Sequence, residues 1–138
     1  MTTAREIMTP DCRCVRSTDT VVDAARMMAE LHVGALPIVG EDSRLHGILT
    51  DRDIAVNVVA QRQNPLEVKT GELVDGPLVV AEADDDVSTV MKLMAQHQVR
   101  RLPVVENDHL VGIIAQADIA RTLSHRDSGE VVEAISQE

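Results

Sequence analysis

The chain of 138 residues contains the same pattern twice. Residues 19–39 align with residues 85–105 at a spacing of 66, and residues 45–55 return as residues 110–120 after a one-residue length change. Such a repeat indicates one supersecondary unit built twice, in which each copy is too small to bury its apolar face alone. The identical pairs of the first block are Asp19/Asp85, Val21/Val87, Met28/Met94, Ala29/Ala95, Val33/Val99, Leu36/Leu102, Pro37/Pro103 and Val39/Val105.

Each copy predicts the order strand, helix, strand, strand, helix. Thr20 and Asp23 form a capping box ahead of apolar residues at helical spacing, and Asp86 is the expected N-cap in the second copy. A hairpin pattern follows in both copies, with Pro37 and Pro103 at strand starts, where a missing amide donor is tolerated. We therefore expect an α/β (α+β) fold of two β-α-β-β-α motifs.

The repeat also suggests domain boundaries. Residues 1–66 form motif 1, and a capping box at residues 3–6 predicts a short helix ahead of its first strand. Residues 67–127 form motif 2. Residues 128–138 are a C-terminal tail whose weak amphipathic pattern is compatible with a helix.

Composition and charge exclude several classes of function. The chain has no Phe, Tyr or Trp on which bases could stack, and its net charge of −10 opposes binding to a phosphate backbone, so nucleic acid is not an expected partner. No signal peptide and no stretch of ~20 apolar residues is present, which favours a cytoplasmic protein with no membrane partner. The five histidines lack ligand spacing, so no metal site is expected, and Cys12 and Cys14 are interpreted as reduced thiols of unassigned role.

The hairpin and its flanks carry a family resemblance. Leu36-Pro37-Ile38-Val39 precedes the turn, and Gly-Ile-Leu-Thr-Asp-Arg-Asp follows it at residues 47–53. With the element order, these residues strongly resemble the cystathionine-β-synthase (CBS) domain. The tandem copies resemble a CBS pair over about residues 3–125, similar to small stand-alone bacterial CBS-pair proteins of the hypoxic-response type. The resemblance implies that the two motifs pack with pseudo-two-fold symmetry.

The family's nucleotide site is a Gly-hydrophobic-x-Ser/Thr-x-x-Asp segment, so the resemblance implies roles for matching residues. Asp53 would accept hydrogen bonds from the ribose hydroxyls, and Thr50 would offer its hydroxyl to a phosphate at the helix start. Asp118 is the matching acid of the second copy, where Ala115 replaces the hydroxyl. A capping box that needs no ligand is the alternative interpretation of residues 50–53, and both interpretations stay open.

Three arginines are candidate phosphate ligands, because a guanidinium fork matches phosphate oxygens. Arg52 lies inside the first motif, while Arg100 and Arg101 precede the Leu-Pro segment of the second copy. The first copy has Gly34 and Ala35 at the positions equivalent to the arginine pair. For each arginine, a solvated surface side chain is the open alternative, and we expect the two sites to be unequal.

These features lead to a functional hypothesis. The chain would be a non-catalytic regulatory module that binds an adenosine-containing ligand such as AMP, ADP, ATP or S-adenosylmethionine in the cleft between the two motifs, with no required cofactor. The resemblance implies a homodimer. The alternative is a structural or interaction module with little or no nucleotide affinity. An enzyme is not expected, because no catalytic constellation occurs in suitable context. The ligand, the downstream protein partner and the dimer arrangement stay open.

Overall fold

The computed structural model of the protein describes residues 2–74, 76 and 78–126, without the side chains of His125 and Arg126. The proposed tail at residues 128–138 lies outside these residues. Two small sheets and their helices form a mixed α/β fold, which confirms the expected fold class. The elements are α1 Ala4–Ile7, β1 Thr9–Pro10, β2 Val15–Arg16, α2 Val21–Leu31, β3 Ala35–Val39, β4 Leu45–Thr50, α3 Asp51–Ile54, β5 Ala81–Glu82, α4 Val87–His97, β6 Arg101–Glu106, β7 His109–Ala115 and α5 Gln116–Arg126.

The chain divides into two compact units. The first-copy unit consists of the described residues of Arg13–Leu78 and Asn107–Leu110, and its sheet has the order β2-β3-β4. The second-copy unit consists of the described residues of Met1–Cys12, Val79–Glu106 and Val111–Glu138, and its sheet has the order β1-β7-β6-β5. Each unit therefore has its own sheet, and the N-terminal helix is part of the second-copy unit.

The short strand that opens each copy pairs in parallel with the strand after the helix. Val15 lies opposite Ile38 in the first copy, and Ala81 lies opposite Val104 in the second, so the register repeats with the sequence spacing of 66. In the first copy this opening strand comprises only Val15–Arg16.

The segments that precede the two copies, residues 2–8 and 68–74, are exchanged between them, and we call them the leading segments. The Ala4 amide donates to the carbonyl of Asp85 at 2.8 Å, and the Thr70 amide donates to the carbonyl of Asp19 at 2.8 Å. All four residues are related by the 66-residue spacing. The leading segment of each repeat thus packs on the strand and helix of the other repeat.

The exchanged segments fill part of each core. Ala4 and Ile7 are buried in the second-copy unit, while Leu73 packs against the core of the first-copy unit. Thr70 is fully buried, and its hydroxyl donates to the carbonyl of Arg16 at 2.7 Å, which satisfies the polar group. The units defined by packing therefore differ from the division at residues 66 and 67, which follows the repeat along the chain and stays a proposal.

Both cores are aliphatic, and helices α2 and α4 contribute one buried methionine each. Helices α2 and α4 end at His32 and Gln98, which occupy the left-handed region with φ of 56° and 54°. The first-copy core contains Val15, Ala24, Met28, Leu36, Ile38 and Leu49. The second-copy core contains Ala4, Ile7, Ala81, Ala83, Val87, Val90, Met94, Leu102, Val104, Ile114 and Ile119.

Candidate functional site

The first candidate site is the junction of β4 and α3. The Asp53 amide donates to the Thr50 hydroxyl oxygen at 3.1 Å, and the Thr50 amide donates to Asp53 Oδ2 at 2.9 Å. The capping box is therefore formed, and both side chains are half-buried. Among the described residues, neither Asp53 Oδ1 nor the Thr50 hydroxyl proton has a hydrogen-bond partner. One acceptor and one donor remain available beside each other.

Helix α3 continues in an unusual form. Residues Ala55–Val59 form a π-helix, and the Ala60 amide donates to the Ala55 carbonyl at 2.9 Å. Val58 is fully buried, whereas Val56 and Val59 are 41% and 64% exposed. Short π-helical turns within helices occur frequently at functional sites. The turn directly after α3 therefore presents apolar side chains to solvent.

The second candidate site is the junction of β7 and α5. The Ala115 amide donates to Asp118 Oδ2 at 2.9 Å, which repeats half of the capping box without a hydroxyl at residue 115. The Arg121 guanidinium forms an ion pair and hydrogen bond with Asp118 Oδ1. The Asp118 side chain is 14% exposed and the Arg121 side chain 69%. Both carboxylate oxygens of Asp118 are therefore engaged.

Equivalent backbone bonds hold the two helix starts against the strand before the hairpin. The Asp51 amide donates to the Gly34 carbonyl at 2.9 Å, and the Gln116 amide donates to the Arg100 carbonyl at 3.0 Å. A Cβ on Gly34 would lie 3.0 Å from the Asp51 carboxylate, a tight contact. The position before the hairpin is therefore a glycine, Gly34, next to the acid Asp51 in the first copy. In the second copy it is Arg100, next to Gln116, whose side chain is an uncharged amide.

The three candidate cations have exposed side chains. Arg52 follows the first residue of α3, Arg100 adjoins the start of α5 through its carbonyl, and Arg101 is the first residue of β6. Within the described part of the chain, none of these guanidinium groups forms an ion pair. They are therefore available to an anion, as a solvated surface arginine also is.

The predicted site residues form two groups. Thr50, Arg52 and Asp53 lie together in the first-copy unit. In the second-copy unit, Arg101 begins β6, and Arg100, just before it, is bonded to the helix start that carries Asp118. Sequence reasoning did not single out Arg121. A spacing of three residues from Asp118 places the two side chains on one helix face, and this signal was present in the sequence.

A strand–helix–hairpin–helix unit that occurs twice, with an acid at the same position of each second helix, defines the class of this protein. The CBS domain family model matches residues 4–60 and 71–125, and the chain belongs to the CBS-domain family as a tandem pair. The resemblance suggested by the sequence is thereby confirmed.

Two comparisons describe one relative. Hypoxic response protein 1 of Mycobacterium tuberculosis is 43% identical over 135 residues, which cover 98% of this chain and 94% of that protein. A crystal structure of Hypoxic Response Protein I, with two coordinated zinc ions, has a TM-score of 0.84 at 44% identity and covers 88% of this chain and 99% of that chain. The similarity to the hypoxic-response type, expected from the sequence, is confirmed as well.

A more distant structure shares the fold. The crystal structure of CBSX2 in complex with AMP has a TM-score of 0.76 at 23% identity and covers 88% of this chain and 96% of that chain. At this identity, the likeness shows the fold alone. The AMP complex is a property of that protein.

The side chains that commonly bind metals do not cluster among the described residues. No group of three or more His, Cys, Asp or Glu side chains among the described residues could hold a metal ion. Burial raises the pKa of the Cys14 thiol, which favours the protonated form. In the same part of the chain, no helix has the length and apolar character needed to cross a membrane.

Proposed function

We propose that this CBS pair is a non-catalytic regulatory module that binds an adenosine-containing ligand, AMP, ADP, ATP or a related molecule, through the starts of the helices that follow its two hairpins. The observation that carries the proposal is the arrangement of Thr50 and Asp53. A half-buried carboxylate oxygen and a hydroxyl proton lie side by side without partners among the described residues. A ribose diol supplies donors for that oxygen, and a phosphate supplies an acceptor for that proton.

The capping bonds do not compete with this role. The bond from the Thr50 amide occupies Asp53 Oδ2, and the bond from the Asp53 amide uses a lone pair of the Thr50 hydroxyl, not its proton. A carboxylate has about four acceptor positions, so one capping bond leaves room for two ribose hydroxyls. The box thus orients the two groups that we propose for the ligand.

The arginines supply charge for the anionic end of the ligand. Because the net charge is −10, a phosphate approaches only where local cations outweigh the surrounding field. Arg100 and Arg101 are adjacent, exposed and unpaired among the described residues, and Arg52 lies one residue from Asp53. We assign these three side chains to the phosphates, and Asp53 and Asp118 to the ribose.

A thermal-shift screen with adenosine, AMP, ADP, ATP and S-adenosylmethionine tests the proposal. A ligand at ~100 times its dissociation constant stabilises the folded state by about 2.7 kcal/mol, which raises the melting temperature by a few degrees. The double variant Asp53→Ala, Asp118→Ala is the matched control and should lose the shift. If no compound shifts wild-type protein at millimolar concentration, the alternative of a structural or interaction module without nucleotide affinity is favoured.

We also propose a homodimer, supported by apolar surface on the helices. In the second-copy unit, a groove of about 270 Å³ between α4 and α5 is lined by apolar side chains that include Met91, Ile119 and Leu123. In the first-copy unit, Val56 and Val59 are exposed. Light scattering should give about twice the chain mass of 15.0 kDa, and a mass of one chain at all concentrations would reject the dimer.

The cytoplasmic location and the absence of an enzymatic activity remain predictions.

A further inference from the structure

Arg121 occupies the carboxylate that the second motif would present to a ribose. Asp118 Oδ2 accepts the capping bond from the Ala115 amide at 2.9 Å. The remaining oxygen, Oδ1, accepts from the Arg121 guanidinium. With Arg121 in place, the Asp118 side chain is only 14% exposed.

The first motif has no such cover. In the alignment that pairs Asp53 with Asp118, the residue equivalent to Arg121 is Val56. A valine donates no hydrogen bond, and Asp53 Oδ1 has no partner among the described residues. The capping bond is otherwise the same in the two copies, at 2.9 Å. The two acids therefore share a backbone role and differ in whether the second oxygen is available.

We propose that Arg121 is a specificity-determining residue that competes with the ribose hydroxyls for Asp118, so that the second motif binds the nucleoside part of a ligand more weakly than the first. This inference rests on the proposed function. A ribose diol and a guanidinium fork can each donate two hydrogen bonds to a carboxylate. At Asp118 both would use Oδ1, because the capping bond occupies Oδ2. Arg121 thus takes an acceptor position on Oδ1 of Asp118 that the diol would use, so the arginine and the diol compete for it.

The magnitude of the competition follows from the exposure of the pair. The Arg121 side chain is 69% exposed, so solvent and salt screen its attraction to Asp118. Exposed ion pairs of this kind change an equilibrium about two- to five-fold. Arg121 therefore weakens the second motif without closing it.

The test uses adenosine, which is neutral and isolates the ribose contact from any attraction between Arg121 and a phosphate. Calorimetry on the Asp53→Ala background reports binding at the second motif, and Arg121→Val introduces the residue of the first copy. We expect Arg121→Val to bind adenosine about two- to five-fold more tightly. 2′,3′-Dideoxyadenosine lacks both hydroxyls, and its affinity should not change.

The reciprocal exchange provides an independent measurement. Val56→Arg in a chain with an intact Asp53 should weaken adenosine binding at the first motif by a similar factor. Gln63→Arg is the matched control, because it adds the same charge at an exposed position ten residues from Asp53, beyond the end of the π-helix. This control should bind adenosine as wild type does.

The outcomes separate the inference from the proposed function. Adenosine binding that is unchanged or weaker in Arg121→Val, or an equal gain for the dideoxy compound, overturns the role of Arg121 and leaves the proposed function standing. If adenosine does not bind wild type or any variant but a nucleotide of the thermal-shift screen does, the inference about Arg121 fails and the proposed function stands. If no compound of the screen binds, both fail.

Discussion

At the start of α3, residues Asp51, Arg52 and Asp53 follow a threonine, whereas at the start of α5 a glutamine, an alanine and Asp118 follow Ala115. The backbone hydrogen bonds of the two helix starts nevertheless agree within 0.1 Å, at 2.9 and 3.0 Å to the preceding strand and 2.9 Å in both capping bonds. The repeat thus preserves main-chain geometry, while the side chains of the candidate site differ between the copies.

The divergence separates the two kinds of contact that a nucleotide needs. The first helix start carries a free carboxylate oxygen and a hydroxyl, but Asp51 adds a negative charge beside Gly34. The second carries Arg100 at the position of that glycine, while its own acid is paired with Arg121. Under the proposed function, the free acceptor of the first motif should bind the ribose hydroxyls more strongly, and the arginines of the second motif should attract the phosphates more strongly.

The largest effect should come from the exchanged leading segments. Ile7 is buried in the second-copy core, so Ile7→Ala should lower the free energy of unfolding by about 2 to 4 kcal/mol. Leu73 only borders the first-copy core, so Leu73→Ala should cost about 1 to 2 kcal/mol. Urea denaturation measures both, with exposed Leu66→Ala as a near-neutral control. A larger loss for Leu73→Ala than for Ile7→Ala would contradict the assignment of the two segments.

The acids should differ in their effect on binding. Asp53→Ala removes an acceptor that Arg121 does not cover, and adenosine affinity should fall by about 1.5 to 3 kcal/mol. Asp118→Ala should cost less, because Asp118 is already paired. Titration calorimetry of both variants against adenosine measures the difference. Equal losses would show that the ion pair does not affect the site, and no loss at either position would show that both acids serve only as helix caps.

The capping hydroxyl should have opposite effects in the two copies. Thr50→Ala removes the acceptor for the Asp53 amide and should lower the free energy of unfolding by about 1 kcal/mol. Ala115→Thr introduces the missing acceptor ahead of α5 and should stabilise the protein by up to ~1 kcal/mol. Denaturation midpoints measure both changes. Ala115→Ser offers a second way to supply the hydroxyl, and destabilisation by both would mean that residue 115 has no room for it.

Local chemistry explains which parts of the fold could be predicted. The capping box at Thr20, the hairpins and the helix starts depend on residues within a few positions of one another, and the structure contains them where the sequence indicated. The exchange of leading segments depends on contacts between residues about 50 to 80 apart, such as Thr70 with Asp19 and Ala4 with Asp85, which no local pattern encodes. The 66-residue repeat extends into the leading segments, since Glu6 and Glu72 are also 66 residues apart.

The candidate site was predictable in part for the same reason. The motif located Asp53 and Asp118 at the helix starts, but it did not indicate that Asp118 would be paired. The π-helical turn after α3 was also missed, because an i to i+5 bond and an i to i+4 bond arise from the same local composition. Side-chain partners and helix register follow from packing, which a motif does not contain.

The smallest expected effect is a dependence of adenosine binding on salt. Adenosine carries no charge, so salt does not screen its own attraction to the protein. The pair of Arg121 and Asp118 is screened, because the arginine is largely exposed and the Debye length falls from about 10 Å at 0.1 M salt to about 3 Å at 1 M. Weakening the pair releases Asp118 Oδ1, and adenosine affinity at the second motif should rise by less than about two-fold over this range. Calorimetry on the Asp53→Ala background measures it. Arg121→Val should abolish the dependence, and an equal salt response in that variant would show that salt acts on adenosine binding through another group.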